Sequence, residues 1–250
     1  MKKLILLAII ITVFVACKDK EKKSEINESE INIKQDIIDN DSDWVYLFDG
    51  TSLNGWHIYN NPNAVNPWTI EDGTLFFQGR ESGNKTEYNL VTDNDYTDFK
   101  LSLEWKISEA GNSGIMWGVI EDVKFEHPYN TGAEIQILDN ERHPDAKANP
   151  KFHQAGALYD MVQPTQDVCK PAGEWNLCEI EINHKTNKGS VTLNGTEIVT
   201  FPLQGEAWDA LIANSKFKDW KDFGVSKTGK ICLQDHENKV WFKNIKIKNL

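Results

Sequence analysis

Basic residues, long apolar runs and sustained helical patterns are all scarce in this sequence of 250 residues. The 27 Lys and Arg are outnumbered by 38 Asp and Glu, and the net charge of −11 argues against a nucleic acid partner. Without a βαβ rhythm or an internal repeat, α/β and solenoid folds are excluded. The sequence is 40% hydrophobic and 10% aromatic, which is enough for one sizeable core and favours a β-rich domain.

The longest apolar run is a targeting signal. Lys2 and Lys3 precede residues 4–16, which are too short to span a bilayer comfortably, and Cys17 follows directly. This order predicts a bacterial lipoprotein signal peptide over residues 1–16 and lipidation of Cys17, with an ordinary secretory peptide as the alternative. We therefore expect a cell-envelope protein, lipid-anchored to the membrane at its periplasmic face or at the outer surface of the outer membrane.

Residues 17–42 are predicted to form a flexible tether, because the stretch after Cys17 has no glycine, proline or aromatic residue and is mostly charged or amide. Beyond it, the odd number of cysteines allows at most one bridge. We predict no disulfide, no zinc site and no cysteine nucleophile among Cys169, Cys178 and Cys232.

Alternating patterns predict strands over most of residues 43–250. Phe99–Ile107 alternates apolar and polar residues throughout, and Asn194-Gly195 is typical of a tight hairpin turn. The other predicted strands are Val45–Phe48, Thr74–Gln78, Ile115–Ile120, Ala133–Leu138, Cys178–Ile182, Ile231–Gln234 and Lys239–Ile247, and the predicted helices are Glu206–Ala213 and Lys218–Asp222. Many short strands with few helices predict a single all-β domain of two packed antiparallel sheets, a sandwich or jelly roll.

Polar side chains that share strand faces mark a candidate site. Glu134 and Gln136 share one face of a predicted strand, and Gln234 and His236 share one face of another. If these strands are neighbours, they form a polar face suited to sugar hydroxyls, with aromatic rings as platforms. The predicted substrate contacts are Asn112, Gln136, Gln234, Trp117 and His153. A lone tryptophan or histidine is more often structural, and that alternative stays open for each.

A retaining glycoside hydrolase is a rival hypothesis. Such jelly-roll enzymes place Glu-x-Asp-x-x-Glu on one strand, with the first Glu as nucleophile and the last as acid/base. Here Glu134 is followed by Gln136 and Asp139, so two of the three positions depart from the pattern. The direct mechanism through Glu134 and Asp139 is therefore the weaker alternative.

Ordered motifs over residues 44–250 resemble the 3-keto-disaccharide hydrolase family. The blocks are Leu47-Phe48-Asp49-Gly50, Leu53-Asn54-Gly55-Trp56, Leu103-Glu104-Trp105, Asn112-Ser113-Gly114, Glu134-Ile135-Gln136-Ile137-Leu138-Asp139, Gly156-Ala157-Leu158-Tyr159-Asp160, Ser215-Lys216-Phe217 and Leu233-Gln234-Asp235-His236. The resemblance implies a concanavalin A-like jelly-roll fold and an enzyme acting on glycosides oxidised to a ketone at C3. Three positions depart from the family pattern, namely Trp117, Glu237 and Lys243.

The implied chemistry begins at the proton on C2, which the C3 ketone makes acidic. A base removes this proton, an enolate forms, the C1 substituent leaves, and water adds back. Glu134 or His236 would be the base, and Lys216, Tyr159 or a bound cation would stabilise the enolate. A divalent metal ion is the one cofactor left open, and a 3-keto-glycoside or other oligosaccharide is the expected partner. A non-catalytic sugar-binding module on the same fold is the alternative from another class.

Overall fold

A computed structural model describes residues 43–250 of the chain. The predicted signal peptide, Cys17 and the tether lie outside these residues. The strands are β1 Val45–Phe48, β2 Trp56–Ile58, β3 Trp68–Glu71, β4 Thr74–Phe77, β5 Leu90–Thr92, β6 Phe99–Ile107, β7 Asn112–Val119, β8 Ala133–Leu138, β9 Asn176–Asn183, β10 Lys188–Leu193, β11 Thr196–Phe201, β12 Lys230–Leu233 and β13 Val240–Asn249. The helices are a 3-10 turn at Pro128–Asn130, α1 Asp145–Ala148 and α2 Glu206–Ala213. In this part of the chain no helix is long and apolar enough to cross a membrane.

The strands form two antiparallel sheets. The larger sheet has the order β11-β10-β9-β6-β13-β4-β3, with β1 also pairing β13. The smaller sheet has the order β2-β5-β12-β7-β8. The predicted all-β concanavalin A-like jelly-roll sandwich is therefore confirmed.

The core lies between the sheets because alternate residues of each strand point to opposite faces. In β7, Ile115 joins the main core with Ile135 of β8 and Leu233 of β12, whereas Met116 belongs to a separate buried cluster with Cys232. We call the side of the smaller sheet that carries Met116 and Cys232 the cavity face. Polar residues beside this second cluster form the candidate site.

The sequence patterns located most elements correctly, with residue-for-residue agreement for β1, β6, β8 and α2. The three-residue strands β2 and β5 and the four-residue β3 were missed, because three or four residues are too few to show an alternation of apolar and polar side chains. The helix predicted over Lys218–Asp222 is wrong, since this segment forms turns. The turns wrap an aromatic cluster in which the rings of Phe217 and Phe223 stack with centroids 3.9 Å apart.

Candidate active site

A polar cavity of about 340 Å³ lies on the cavity face of the smaller sheet. Pairing of β7 with β8 sets Gly114 opposite Gln136, and the Gln234 N–H donates to the Gly114 carbonyl at 2.9 Å. This register places strands β8, β7 and β12 side by side, so the strands that carry Gln136 and Gln234 lie in one sheet with β7 between them. The cavity is lined by Arg80, Glu87, Asn89, Asn112, Tyr129, Glu134, Gln136, Tyr159, Lys216, Phe217, Gln234, Asp235, His236 and Glu237.

Three amide oxygens in this lining have no hydrogen-bond partner within the protein. They are Oδ1 of Asn112, Oε1 of Gln136 and Oε1 of Gln234, and all three are buried. A buried carbonyl oxygen without a partner costs about 1–3 kcal/mol, so its natural partner is a hydroxyl that enters the cavity. The lining therefore offers hydrogen-bond acceptors to a ligand rich in hydroxyl groups.

Glu134 is one of two buried carboxyl groups in the cavity lining, with 8% of the residue exposed, and Asp235 is the other. Burial raises its pKa from 4.5 to about 8, against the opposing effect of the Lys216 ammonium, and Asp145 raises it further. At neutral pH the side chain is therefore mostly protonated and can donate a proton. Gly114 makes room for it, since a Cβ at that position would collide with the Glu134 carboxyl.

His236 stands exposed at the rim, beside Asn112. The Asn112 side-chain nitrogen lies 3.4 Å from His236 Nε2, and a neutral imidazole with its proton on Nδ1 accepts this hydrogen bond. An unprotonated imidazole nitrogen that faces a cavity can act as a base. His143 approaches His236 edge-on, with ring centroids 6.2 Å apart, and burial followed by the charge of His236 lowers the pKa of His143.

Tyr159 and Lys216 form a second part of the cavity wall. The Tyr159 hydroxyl donates to Asp145 Oδ2 at 3.0 Å, and the Lys216 ammonium lies 4.1 Å from the Tyr159 ring centroid. Burial, then the charges of Asp145 and Glu134, raise the pKa of Tyr159 well above its ordinary value. Because its hydroxyl proton points to Asp145, Tyr159 presents oxygen lone pairs to a ligand, and Lys216 supplies the positive charge of this wall.

Two predicted substrate contacts do not line the cavity. Trp117 is buried in the core, where it stacks on Phe201 with ring centroids 5.6 Å apart. It shares the core-facing side of β7 with Ile115, so it points away from the cavity. His153 lies behind the wall and stacks on Tyr159 with ring centroids 4.3 Å apart. Neither side chain is placed to touch a ligand in this cavity.

Sequence reasoning missed the ion pairs of Arg80 in the cavity lining. Its Nε lies 3.3 Å from Asp235 Oδ1, and its Nη2 lies 3.3 Å from Glu237 Oε1. Asp235 also accepts the backbone N–H groups of Tyr88 and Glu237 at 2.9 and 3.0 Å. One indication of this contact was present in the sequence, since Asp235, the partner of Arg80, lies inside the Gln-Asp-His block. Glu237 adopts φ 70°, a left-handed conformation that suits the glycine usual at this position of the family pattern.

Asp139, the second carboxylate of the rival hydrolase mechanism, does not line the cavity. It accepts the backbone N–H groups of Ala110 and Glu141 at 2.8 and 3.2 Å, and Arg142 lies 3.3 Å away. Burial alone would raise its pKa, but these hydrogen bonds and Arg142 lower it below the ordinary value. Asp139 therefore stabilises the turn after β8 and is not placed to act with Glu134 on a ligand in this cavity.

Within residues 43–250 neither a metal-binding group of side chains nor a cysteine with a lowered pKa is found. Across residues 43–250 no group of three or more His, Cys, Asp or Glu side chains is arranged to hold a metal ion. Cys169, Cys178 and Cys232 are free thiols. Burial raises the pKa of Cys178 to about 12, which suppresses the nucleophilic thiolate. The positive charge offered to a ligand comes from Lys216 and Arg80.

A jelly-roll sandwich with a cavity that offers buried hydrogen-bond acceptors to hydroxyl groups is typical of carbohydrate-active proteins. The arrangement combines an acid, an imidazole and an ammonium group around one space. The chain belongs to the family whose model is described as the 3-keto-alpha-glucoside-1,2-lyase-like domain, which matches residues 43–248. The resemblance inferred from the sequence motifs is thereby confirmed.

Known relatives agree with this family membership. A protein of Bacteroides thetaiotaomicron named 3-keto-disaccharide hydrolase is 33% identical, over 90% of this chain and 84% of its own length. A solved structure from Parabacteroides distasonis, assigned as a glycosyl hydrolase, is 32% identical with a TM-score of 0.76, covering 84% of this chain and 94% of that one. A second structure from the same organism is 26% identical with a TM-score of 0.62, covering 83% and 99%.

Proposed function

We propose that this protein cleaves 3-keto-glycosides by elimination across C1 and C2 followed by hydration. The family description and the name of the Bacteroides relative support the substrate class. The observation that carries the proposal is the buried Glu134, protonated at neutral pH, in one cavity with the Lys216 ammonium and the His236 imidazole. An acid, a cation and a base are the three groups that this elimination needs.

Each group has a separate role. His236 Nε2 takes the proton from C2, and the electrons of the broken C–H bond pass into an enolate whose charge lies on the C3 oxygen. Lys216 stabilises that oxygen. The enolate electrons then form the C1–C2 double bond as the C1–O bond breaks, and Glu134 gives its proton to the departing oxygen. Water adds its hydroxyl to C1 and a proton to C2, so the net reaction is hydrolysis.

The remaining lining residues fit substrate binding. The unpaired oxygens of Asn112, Gln136 and Gln234 accept hydroxyl groups of the sugar. Glu87 and Asn89 also line an adjoining cavity of about 180 Å³, which gives the departing group room on that side. A non-catalytic binding module would use the same oxygens, but it would have no need for a buried acid with a raised pKa.

The test is proton NMR in D2O on the full chain with a 3-keto-glucoside and, separately, with the unoxidised glucoside. We expect release of the aglycone from the keto sugar alone, with deuterium incorporated at C2, because His236 exchanges its proton with solvent. EDTA is expected to leave the rate unchanged, and inhibition by EDTA would transfer the role of Lys216 to a metal ion. Release from the unoxidised sugar without exchange would contradict elimination, and no release from either would favour the binding module.

We also propose that the protein is anchored in the cell envelope through a lipid on Cys17. The support is the basic start and the apolar residues 4–16 immediately before this cysteine. Full-length protein expressed in a bacterium that lipidates its exported proteins is expected in the detergent-extractable membrane fraction. The Cys17→Ser variant is expected to leave that fraction. Equal membrane binding by both proteins would rule out this anchor.

A further inference from the structure

A buried histidine behind the cavity wall bridges two carboxylates. His153 Nδ1 lies 2.8 Å from Asp145 Oδ1, and His153 Nε2 lies 2.9 Å from Asp160 Oδ1. The His153 side chain is 10% exposed, so these contacts are largely shielded from solvent. A histidine held at both nitrogens is fixed in position and in ring orientation.

Each carboxylate in turn holds one residue of the cavity wall. The second oxygen of Asp145 accepts the Tyr159 hydroxyl at 3.0 Å, and the second oxygen of Asp160 accepts the backbone N–H of Lys216 at 2.7 Å. Two arms therefore run from His153 to the wall, one ending at Tyr159 and the other at Lys216.

The same three side chains are also stacked. The His153 ring stacks on the Tyr159 ring, with centroids 4.3 Å apart and planes 27° from parallel. The Lys216 ammonium lies 4.1 Å from the centroid of the Tyr159 ring. Cations over an aromatic ring are held by its electron-rich face. Movement of His153 would therefore disturb Tyr159 directly as well as through Asp145.

The hydrogen-bond pattern requires a proton on each nitrogen of His153. An ionised carboxylate only accepts hydrogen bonds, so each ring nitrogen facing one must donate. Burial alone would raise the pKa of Asp160, but the hydrogen bonds from Lys216 N, His153 and Asn149 lower it below the ordinary value. The titratable groups on the cavity side of this cluster are the Lys216 ammonium and the Glu134 carboxyl, which is mostly protonated at neutral pH.

We propose that His153 is a positioning residue, which sets the Tyr159 hydroxyl through Asp145 and, through Asp160, the Lys216 backbone from which the ammonium group extends over the Tyr159 ring. This replaces the substrate contact predicted for His153 and rests on the proposed function. The two arms serve different steps. Tyr159, with its proton directed to Asp145, accepts a sugar hydroxyl and contributes to binding, whereas Lys216 stabilises the enolate and contributes to turnover.

Two substitutions separate the arms. In His153→Asn the amide nitrogen replaces Nδ1, keeping the arm to Asp145 and losing the arm to Asp160. In His153→Gln the amide nitrogen replaces Nε2 and keeps only the arm to Asp160. We expect His153→Asn to lower kcat about 10- to 100-fold with KM within about threefold, and His153→Gln to raise KM about 10-fold with a smaller change in kcat. Equal changes in both parameters for both variants, or no change, would overturn the proposal.

The control is His184→Gln, which removes another buried histidine–carboxylate contact. His184 Nδ1 lies 3.0 Å from Asp98 Oδ1, and neither residue lines the cavity. We expect this variant to lose stability without changing kcat or KM. Tyr159→Phe keeps the ring and removes the hydroxyl, so it should reproduce the rise in KM of His153→Gln, and the double variant should add nothing more. Additive effects in that double variant would contradict the arm through Asp145.

A measurement without substrate separates this proposal from the proposed function. In nitrogen-15 NMR of histidine-labelled full chain, the His153 signals are assigned by their absence in His153→Gln. We expect both ring nitrogens to be protonated and each proton to be protected from exchange. One unprotonated nitrogen would overturn the bridging arrangement even if the enzyme is active. Two protonated nitrogens in a protein that turns over no 3-keto-glucoside would instead count against the proposed function alone.

Discussion

Replacing Glu134 with glutamine is expected to lower kcat about 10²- to 10⁴-fold, the usual contribution of a general acid. Glutamine keeps the size and one acceptor of the side chain but cannot protonate the departing oxygen. The pKa of about 8 also sets the pH profile of the wild-type protein. As pH rises through about 8 the acid loses its proton, so kcat/KM is expected to fall over that range. A flat profile there would contradict the assignment.

The same substitution is expected to stabilise the protein. Between pH 4.5 and about 8 the folded state holds a proton that the unfolded chain has released, so the free energy of unfolding decreases as pH rises through this window. At pH 7 the raised pKa of Glu134 lowers the free energy of unfolding by about 3 kcal/mol, at 1.36 kcal/mol per pKa unit. Glutamine carries no such cost, so the variant should gain stability at pH 7 and lose that advantage below pH 4.5.

Urea unfolding at several pH values, beside turnover of the 3-keto sugar, tests both effects. The matched control is Glu104→Gln, whose carboxylate lies on the larger sheet 3.3 Å from Lys243. It should change neither turnover nor the pH dependence of stability. An inactive Glu134→Gln that is also less stable than the wild type would mean that lost packing, and not a lost acid, explains the inactivity.

The period-two rule predicted the fold and most of the strand residues that line the cavity. In β8 the even-numbered Glu134 and Gln136 face the cavity, while Ile135 and Ile137 face the core. The same rule applied to β7 separates Asn112 and Gly114 from Ile115 and Trp117. Trp117 was therefore predictable as a core residue, and an aromatic ring in a sugar-binding family was the misleading signal.

The residues that were missed, or were predicted in a different role as His153 was, are those that loops bring together. Arg80 reaches Asp235 across a sequence separation of 155 residues, and the contact follows from no local pattern. His153, Asp145 and Asp160 lie within one stretch, but the short helix α1 and the turns around it have no period from which side-chain directions follow. In a strand, alternation alone tells which face of the sheet a side chain lies on. In a loop, the direction of a side chain follows only from the complete tertiary structure.

Replacing Gly114 with alanine is expected to inactivate the enzyme without unfolding it. A Cβ at Gly114 would overlap the carboxyl end of Glu134, and this flexible side chain must turn away. A displacement of about 1 Å in a reacting group can cost about 100-fold in rate, so a loss of that size in kcat is expected. Because only a side-chain end moves, the free energy of unfolding should change by less than about 1 kcal/mol.

The contrast is Gly189→Ala in β10, where the added Cβ would meet the Phe201 ring in the core. An aromatic ring packed among neighbours cannot turn aside, so overpacking should cost about 1–3 kcal/mol of stability while the folded protein keeps its kcat. Turnover and urea unfolding should therefore be measured on both variants. Gly114→Ala is expected to lower kcat and keep stability, whereas Gly189→Ala is expected to lower stability and keep kcat. Full activity in Gly114→Ala would mean that the position of Glu134 is not critical, and its role as the acid would then be wrong.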